Sequence, residues 1–263
     1  MVGGSRKRRF RVLTLVLATV LIAEGMVNGT FAWLIADTDP VVNTFTYGDI
    51  NLKLDETKTD EKGNPVDENE DGNPDKTTEG NDYEMIPGEE YLKDPRVTVL
   101  AGNEACWLFV KLEETDGFIT NADGSTTPTG AFRDYLDYTI GSGWTQLYED
   151  GYFGIAGHEI KGVYYRFEDE DTDDTEVAYP VLKDNKISVK REVTKEMLNA
   201  LDNNGQAEKV TYPSLSITAY AVQYSGFEAE VSDGATSATD EQVNTAVWKA
   251  WQTVEAQNTT TTP

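Results

Sequence analysis

The sequence predicts a mainly β fold: a jelly-roll-like β-sandwich with one short helix and one C-terminal amphipathic helix. Three observations lead there. Apolar and polar residues alternate with period two in run after run, the pattern of half-buried strands. Gly, Pro, Asn and Asp punctuate the runs, as at Pro87-Gly88 and Asp184-Asn185, where strands must turn. Two segments of helical spacing interrupt the pattern. Many short strands with turn signals argue for a sandwich or jelly roll.

The leading residues read as an address. Arg6, Lys7, Arg8, Arg9 and Arg11 precede an apolar run from Val12 to Ala23, which Glu24 and Gly25 break. At about 1.5 Å of rise per residue that run falls short of ~30 Å of hydrocarbon. It has the size of a signal-peptide core. Thr30 and Ala32 put small residues at the −3 and −1 positions, so cleavage is expected between Ala32 and Trp33. The alternative is an uncleaved anchor, with the apolar stretch extended through Trp33 to Ile35. The expected organisation is a signal peptide at 1–32, a β-sandwich domain at 33–255 with an acidic insertion loop at 55–85, and a disordered tail at 256–263.

The strands follow in chain order. In Asp49 to Leu54 the apolar residues fall on one face. Val97 to Leu100 reads as a strand after Pro95. Cys106 to Leu112 (CWLFVKL) is apolar on both faces, as a central strand would be. Trp144 to Tyr148, Val163 to Phe167 and Ile187 to Val189 are further strands. Leu215 to Val222 alternates small, hydroxylated and apolar residues.

The first helix is expected over Val193 to Leu201, with Thr194 as its cap. The second starts at Thr239-Asp240-Glu241-Gln242, which fits a capping box. Val243, Ala246, Val247, Ala250, Trp251 and Val254 then fall on one helical stripe. That stripe is expected to cover a sheet or a sheet edge. Asn258 to Pro263 is Thr-rich with nothing to bury, hence expected to be disordered. It carries no LPxTG-type sorting motif.

Between Asp55 and Glu84 there are twelve acids and three bases, with Gly, Asn and Pro and no apolar periodicity. This reads as an insertion between two strands. Within it, Asp67-Glu68-Asn69-Glu70-Asp71-Gly72-Asn73-Pro74-Asp75 has the form D-x-N-x-D-G-x-x-D. Oxygen side chains at positions 1, 3 and 5 converge on one cation, and Gly at 6 allows the sharp turn. Asp67, Asn69, Asp71 and Asp75 are therefore candidate calcium ligands. Position 12 is Thr78 rather than Glu, and a solvated flexible loop is the competing reading. The acidic run Glu168 to Asp174 lacks that spacing and reads as a solvated hairpin loop.

Charge and residue counts exclude several functions. The chain has 22 Lys+Arg against 47 Asp+Glu, a net charge of −25. Phosphate backbones repel such a surface, so no nucleic-acid partner is expected. One Cys cannot form an internal disulfide, and one His with one Cys cannot build a Cys/His zinc site. Cys106, beside Trp107 in an apolar strand, reads as a small core residue rather than a nucleophile. His158-Glu159 lacks the second His of HExxH, since Gly162 stands there. His158 reads as a turn residue. Nothing in the spacing of the acids selects a catalytic pair, and no enzyme activity is expected.

The junction Gly29-Thr30-Phe31-Ala32-Trp33-Leu34-Ile35-Ala36-Asp37, followed by Asn43-Thr44-Phe45-Thr46-Tyr47-Gly48-Asp49-Ile50-Asn51-Leu52, resembles that of the TasA/camelysin family. Asn28 stands where that family usually has a Gly. The resemblance continues in Ile86-Pro87-Gly88, in Asn103 to Leu112, and in Ile217 to Gln223 with Ala250-Trp251. It implies a jelly roll, export through a SipW-type signal peptidase, and a structural role at the cell surface or in the biofilm matrix of a Gram-positive bacterium. It also implies head-to-tail self-assembly into filaments. The donor strand would be Trp33, Leu34, Ile35, Val41, Val42 and Phe45, pairing with an exposed edge of the next copy. The same stretch could instead be the first strand of its own sheet. Two other functions fit the resemblance or the composition: a camelysin-like metallopeptidase, and a monomeric surface-binding module using Tyr152, Phe153, Tyr164 and Tyr165.

Overall fold

The computed structural model describes residues 50–171, 175–201, 209–232 and 235–260. The expected signal peptide at 1–32, the expected Ala32–Trp33 cleavage site and the candidate donor residues Trp33, Leu34, Ile35, Val41, Val42 and Phe45 lie outside the described residues.

The fold is mainly β, with antiparallel sheets and a C-terminal helix. The sheet that organises the rest has the order β14 (Ser214–Gln223), β5 (Cys106–Thr115), β10 (Glu159–Glu168) and β9 (Thr145–Tyr148). β5 explains why its sequence is apolar in every register. Cys106, Leu108, Val110 and Leu112 enter one buried cluster, while Trp107 and Phe109 enter another on the opposite face. Successive side chains of a strand point to opposite faces, so a strand covered on both sides needs no polar residue.

On the first face lies a sheet of order β11 (Val177–Pro180), β4 (Arg96–Val99), β1 (Leu52–Thr57) and β2 (Lys76–Thr77). Ile50, Leu54, Val97 and Val99 share one core with the inward residues of β5 and with Leu215, Ile217 and Ala219 of β14. A small sheet of β3 (Glu90–Leu92), β12 (Lys186–Val189) and β8 (Leu136–Asp137) adds Tyr91, Ile187, Val189 and Leu136 to it. A third sheet joins β13 (Lys209–Thr211), β6 (Gly117–Thr120) and β7 (Thr126–Gly130). Two short helices sit among these strands, α1 (Phe132–Tyr135) and α2 (Lys195–Leu201). Thr194 caps α2 as expected, accepting the Met197 N–H at 3.2 Å.

On the other face lies α3 (Asp240–Thr260). Its capping box is reciprocal: the Gln242 N–H donates to Thr239 Oγ1 at 3.2 Å, and the Thr239 N–H donates to Gln242 Oε1 at 2.8 Å. Val247, Ala250, Trp251 and Val254 pack on Phe109, Val163, Tyr165 and Tyr220. Trp251 sits 5.4 Å from Phe109 and 5.7 Å from Tyr220, ring centre to ring centre. The stripe read from the sequence thus covers a sheet face.

Several expectations need correction. The first strand extends to Thr57, so Asp55 and Glu56 are buried strand residues and the insertion starts only at Lys58. The insertion is built rather than structureless, with Val66 and Asp75 bonded to each other and to Lys58 through their backbones. The expected tail at 256–263 is helical as far as Thr260. Asn258 donates to the Tyr220 hydroxyl there at 3.4 Å, which gives the polar end of the helix a partner on the sheet. The acidic run expected as a hairpin loop follows β10, which ends at Glu168, and the next strand, β11, belongs to another sheet, so its flanking strands do not pair as a hairpin.

Candidate functional site

Among the described residues the central sheet has two edge strands, β14 and β9. β14 is ten residues long and buried or half-buried throughout. Among the described residues it pairs with β5 alone, in unbroken register from Ser214–Thr115 to Gln223–Cys106. Its second flank therefore offers backbone groups that need a partner, since buried N–H and C=O groups are rarely left unpaired. β1, the first described strand after the leader, passes within contact distance of it.

The opposite edge is closed by a side chain. Asn244 of α3 is fully buried, accepts the Tyr148 N–H at 3.1 Å and donates to the Tyr148 carbonyl at 3.1 Å. One carboxamide thus imitates a neighbouring strand. Inside the same region β10 carries a bulge, which places Ile160 and Val163 in the same cluster despite their odd spacing. Gly162 lies there at φ 73°, and a Cβ would collide with the Leu112 carbonyl. Gln146 Nε2 donates to the Ile160 and Val163 carbonyls at 2.8 and 3.0 Å, satisfying groups the bulge leaves out of the ladder.

The candidate calcium residues do come together as a loop, held by its own backbone. Asp67 accepts the Asp71 and Gly72 N–H groups at 3.3 and 2.9 Å. Asn69 Oδ1 accepts the Asp71 N–H, and Asp71 accepts the Asn73 N–H. Asp75 accepts the Glu68 N–H at 2.7 Å and the Asn69 amide at 3.2 Å. Among the described residues no group of three or more His, Cys, Asp or Glu is gathered so as to hold a metal ion.

At the foot of this insertion lies a buried polar network that the sequence did not announce. Asp94 accepts the Thr57 N–H and hydroxyl, both at 2.7 Å, and pairs with Arg96 at 3.0 Å. Lys76 donates to the Thr57 hydroxyl at 2.7 Å. Glu56 pairs with Lys93 at 3.0 Å, and both are buried. Charged residues are seldom buried unless paired. The only sequence signal was a strand pattern continuing into acids.

Cys106 is buried, and burial pushes its thiol up to about 12, with the Glu168 charge adding to the effect. A reactive thiol needs the opposite environment, so the core reading holds. His158 sits in a turn, stacked on Tyr152 at 3.9 Å and bonded through Nδ1 to Glu149 at 2.7 Å. The four aromatics of the surface-module reading do not share a face: Tyr164 packs on the sheet-to-sheet core and Tyr165 on the helix side. A different aromatic group, Trp107, Phe167 and Tyr224, packs with ring centres 4.9 to 5.5 Å apart beside the start of α3. Among the described residues no helix is long and apolar enough to cross a membrane.

Compared with family models, with characterised proteins and with solved structures, the chain matches none.

Proposed function

We propose that this is an exported structural protein of the cell surface or biofilm matrix, a jelly roll that self-assembles head to tail through its trimmed N-terminal segment. The observation that carries the reading is the one-sided pairing of β14 among the described residues. A ten-residue buried edge suits an extended apolar strand, and Trp33 to Phe45 is such a strand in composition. Contacts of this kind do not close on themselves and give fibres. The basic and apolar leader supports export, and the SipW-type junction supports its removal by a dedicated peptidase. The absence of a cysteine pair from the sequence agrees with an exported bacterial protein.

Electron microscopy of the secreted protein tests this. Fibres are expected from the mature chain and should be lost when residues 33–42 are deleted, while circular dichroism still reports a folded β protein. Monomers at high concentration, or fibres that survive the deletion, would overturn the assembly role.

A further inference from the structure

Glu56, Asn81 and Lys93 are 4 %, 6 % and 3 % exposed and meet at one point. Glu56 Oε1 accepts from Asn81 Nδ2 at 2.8 Å and from Lys93 Nζ at 3.3 Å, and Oε2 accepts from Lys93 Nζ at 3.0 Å. A primary amine and a carboxamide are therefore held on the same carboxylate, away from water. The carboxamide is fixed on its other sides as well. Its Nδ2 also donates to the Thr57 carbonyl at 2.8 Å, and its Oδ1 accepts the Thr59 N–H at 2.7 Å. Tyr83 and Tyr91, 5.3 Å apart, are buried in the same region, and burial together with the Glu56 charge pushes the Tyr83 hydroxyl upward. An ion pair alone would not need an amide polarised by a backbone donor. An amine and a carboxamide on one proton carrier, with a backbone donor on the carboxamide oxygen, are the parts of a reaction site.

We propose that Lys93 and Asn81 are joined by an intramolecular isopeptide bond that the folded chain makes itself, with Glu56 carrying the protons. The Lys93 ammonium gives a proton to the Glu56 carboxylate, and the freed electron pair attacks Asn81 Cγ. The carbonyl electrons move to Oδ1, where the Thr59 N–H stabilises the developing oxyanion. Glu56 passes the proton to Nδ2, the Cγ–Nδ2 bond breaks, and the carbonyl re-forms. A second proton leaves Nζ by the same route, so the nitrogen of Asn81 departs as ammonium. The product is one Nζ–Cγ amide, and no oxidant, cofactor or metal is consumed. The bond closes the segment from Asn81 to Lys93 and fastens the acidic insertion to β1, whose Glu56 remains bonded to it. Water exclusion favours the amide, because the neighbouring amine and carboxyl groups cannot be re-solvated separately.

Peptide mapping of the purified full chain tests this. Trypsin would ordinarily cut after Lys76, Lys93 and Arg96. The expected product is Thr77–Arg96, uncut at Lys93 and lighter than its sequence mass by one ammonia. A glutamate-specific protease, cutting after Glu84, Glu89 or Glu90, should leave its two halves joined. A Thr77–Lys93 peptide of full sequence mass would overturn the proposal. So would the same mass loss with Lys93 cleaved, which would be a succinimide at Asn81. Glu56→Gln should restore cleavage at Lys93 and the full mass, and a Glu56→Gln chain that is still cross-linked would remove Glu56 from the mechanism. The wild-type map decides the bond itself even where that variant folds poorly.

Discussion

The central sheet ends in two different ways. Its β9 edge is four residues long, lies under α3, and has the Tyr148 N–H and carbonyl answered by the Asn244 carboxamide. Its β14 edge is ten residues long and, among the described residues, answered by nothing on its outer flank. Both edges belong to one sheet and touch one apolar cluster. Among the described residues, edge protection is thus a local device, present where the strand is short and not seen where it is long.

The comparison can be broken most severely at Trp251. Trp251→Ala should cost about 3–5 kcal/mol, because a large buried ring leaves a cavity against Phe109 and Tyr220. Urea unfolding followed by tryptophan fluorescence measures it; a change under about 1 kcal/mol would mean that α3 is not held on β5 and β14 through this ring. Asn244→Ala is milder, about 1–3 kcal/mol, since it leaves the Tyr148 N–H and carbonyl buried without partners. It should also add a species of higher mass on size-exclusion chromatography, because a second edge becomes available. An unchanged profile would assign the protection to the helix backbone and not to Asn244.

The strands between the edges set a pH limit. Burial pushes Cys106 up to about 12, and burial with the Asp240 charge pushes Tyr165 up to about 12. Unfolded, these groups ionise near ~8.5 and ~10. Above those values the unfolded chain releases protons that the folded chain keeps, so stability falls as pH rises. The slope is about 1.4 kcal/mol per pH unit for each group, and the contribution is fully present below the unfolded values. Urea midpoints from pH 8 to 11 should therefore decline, and a flat series would contradict the burial of both groups. The smallest effect on stability is expected of Ser216→Lys. Ser216 sits on β14 opposite Glu113, so the new cation has a cross-strand partner and stability should move by no more than about 0.5 kcal/mol. Fibre formation should nonetheless fall, as lysine guards an edge; wild-type fibre yield from this variant would place assembly elsewhere.

Some of this architecture was readable in advance. The CWLFVKL run could only be a strand covered on both faces, and β5 is one. The stripe from Val243 to Val254 and its Thr239–Gln242 cap predicted α3 and its buried side. Local periodicity and capping act over a few residues, so a short window of sequence contains them. The bulge at Gly162 was not readable, because a lone glycine in a strand pattern does not say which carbonyl approaches it. The polar network was misread for a related reason. Asp55, Glu56 and Asn81 lie in the expected acidic insertion, where composition predicts solvation, and Lys93 and Asp94 follow shortly after it.

Taken alone, the order of residues fixed the class of each long element, the faces of β5, β14 and α3, and the acidity that repels phosphate. Only the tertiary structure decided that Glu56, Asn81 and Lys93 share one dry point, that Asn244 closes one edge, and that β14 runs along the other. Periodicity is a property of neighbours along the chain, whereas these meetings join residues tens of positions apart. Their energy comes from water excluded by both partners at once, which no single segment encodes.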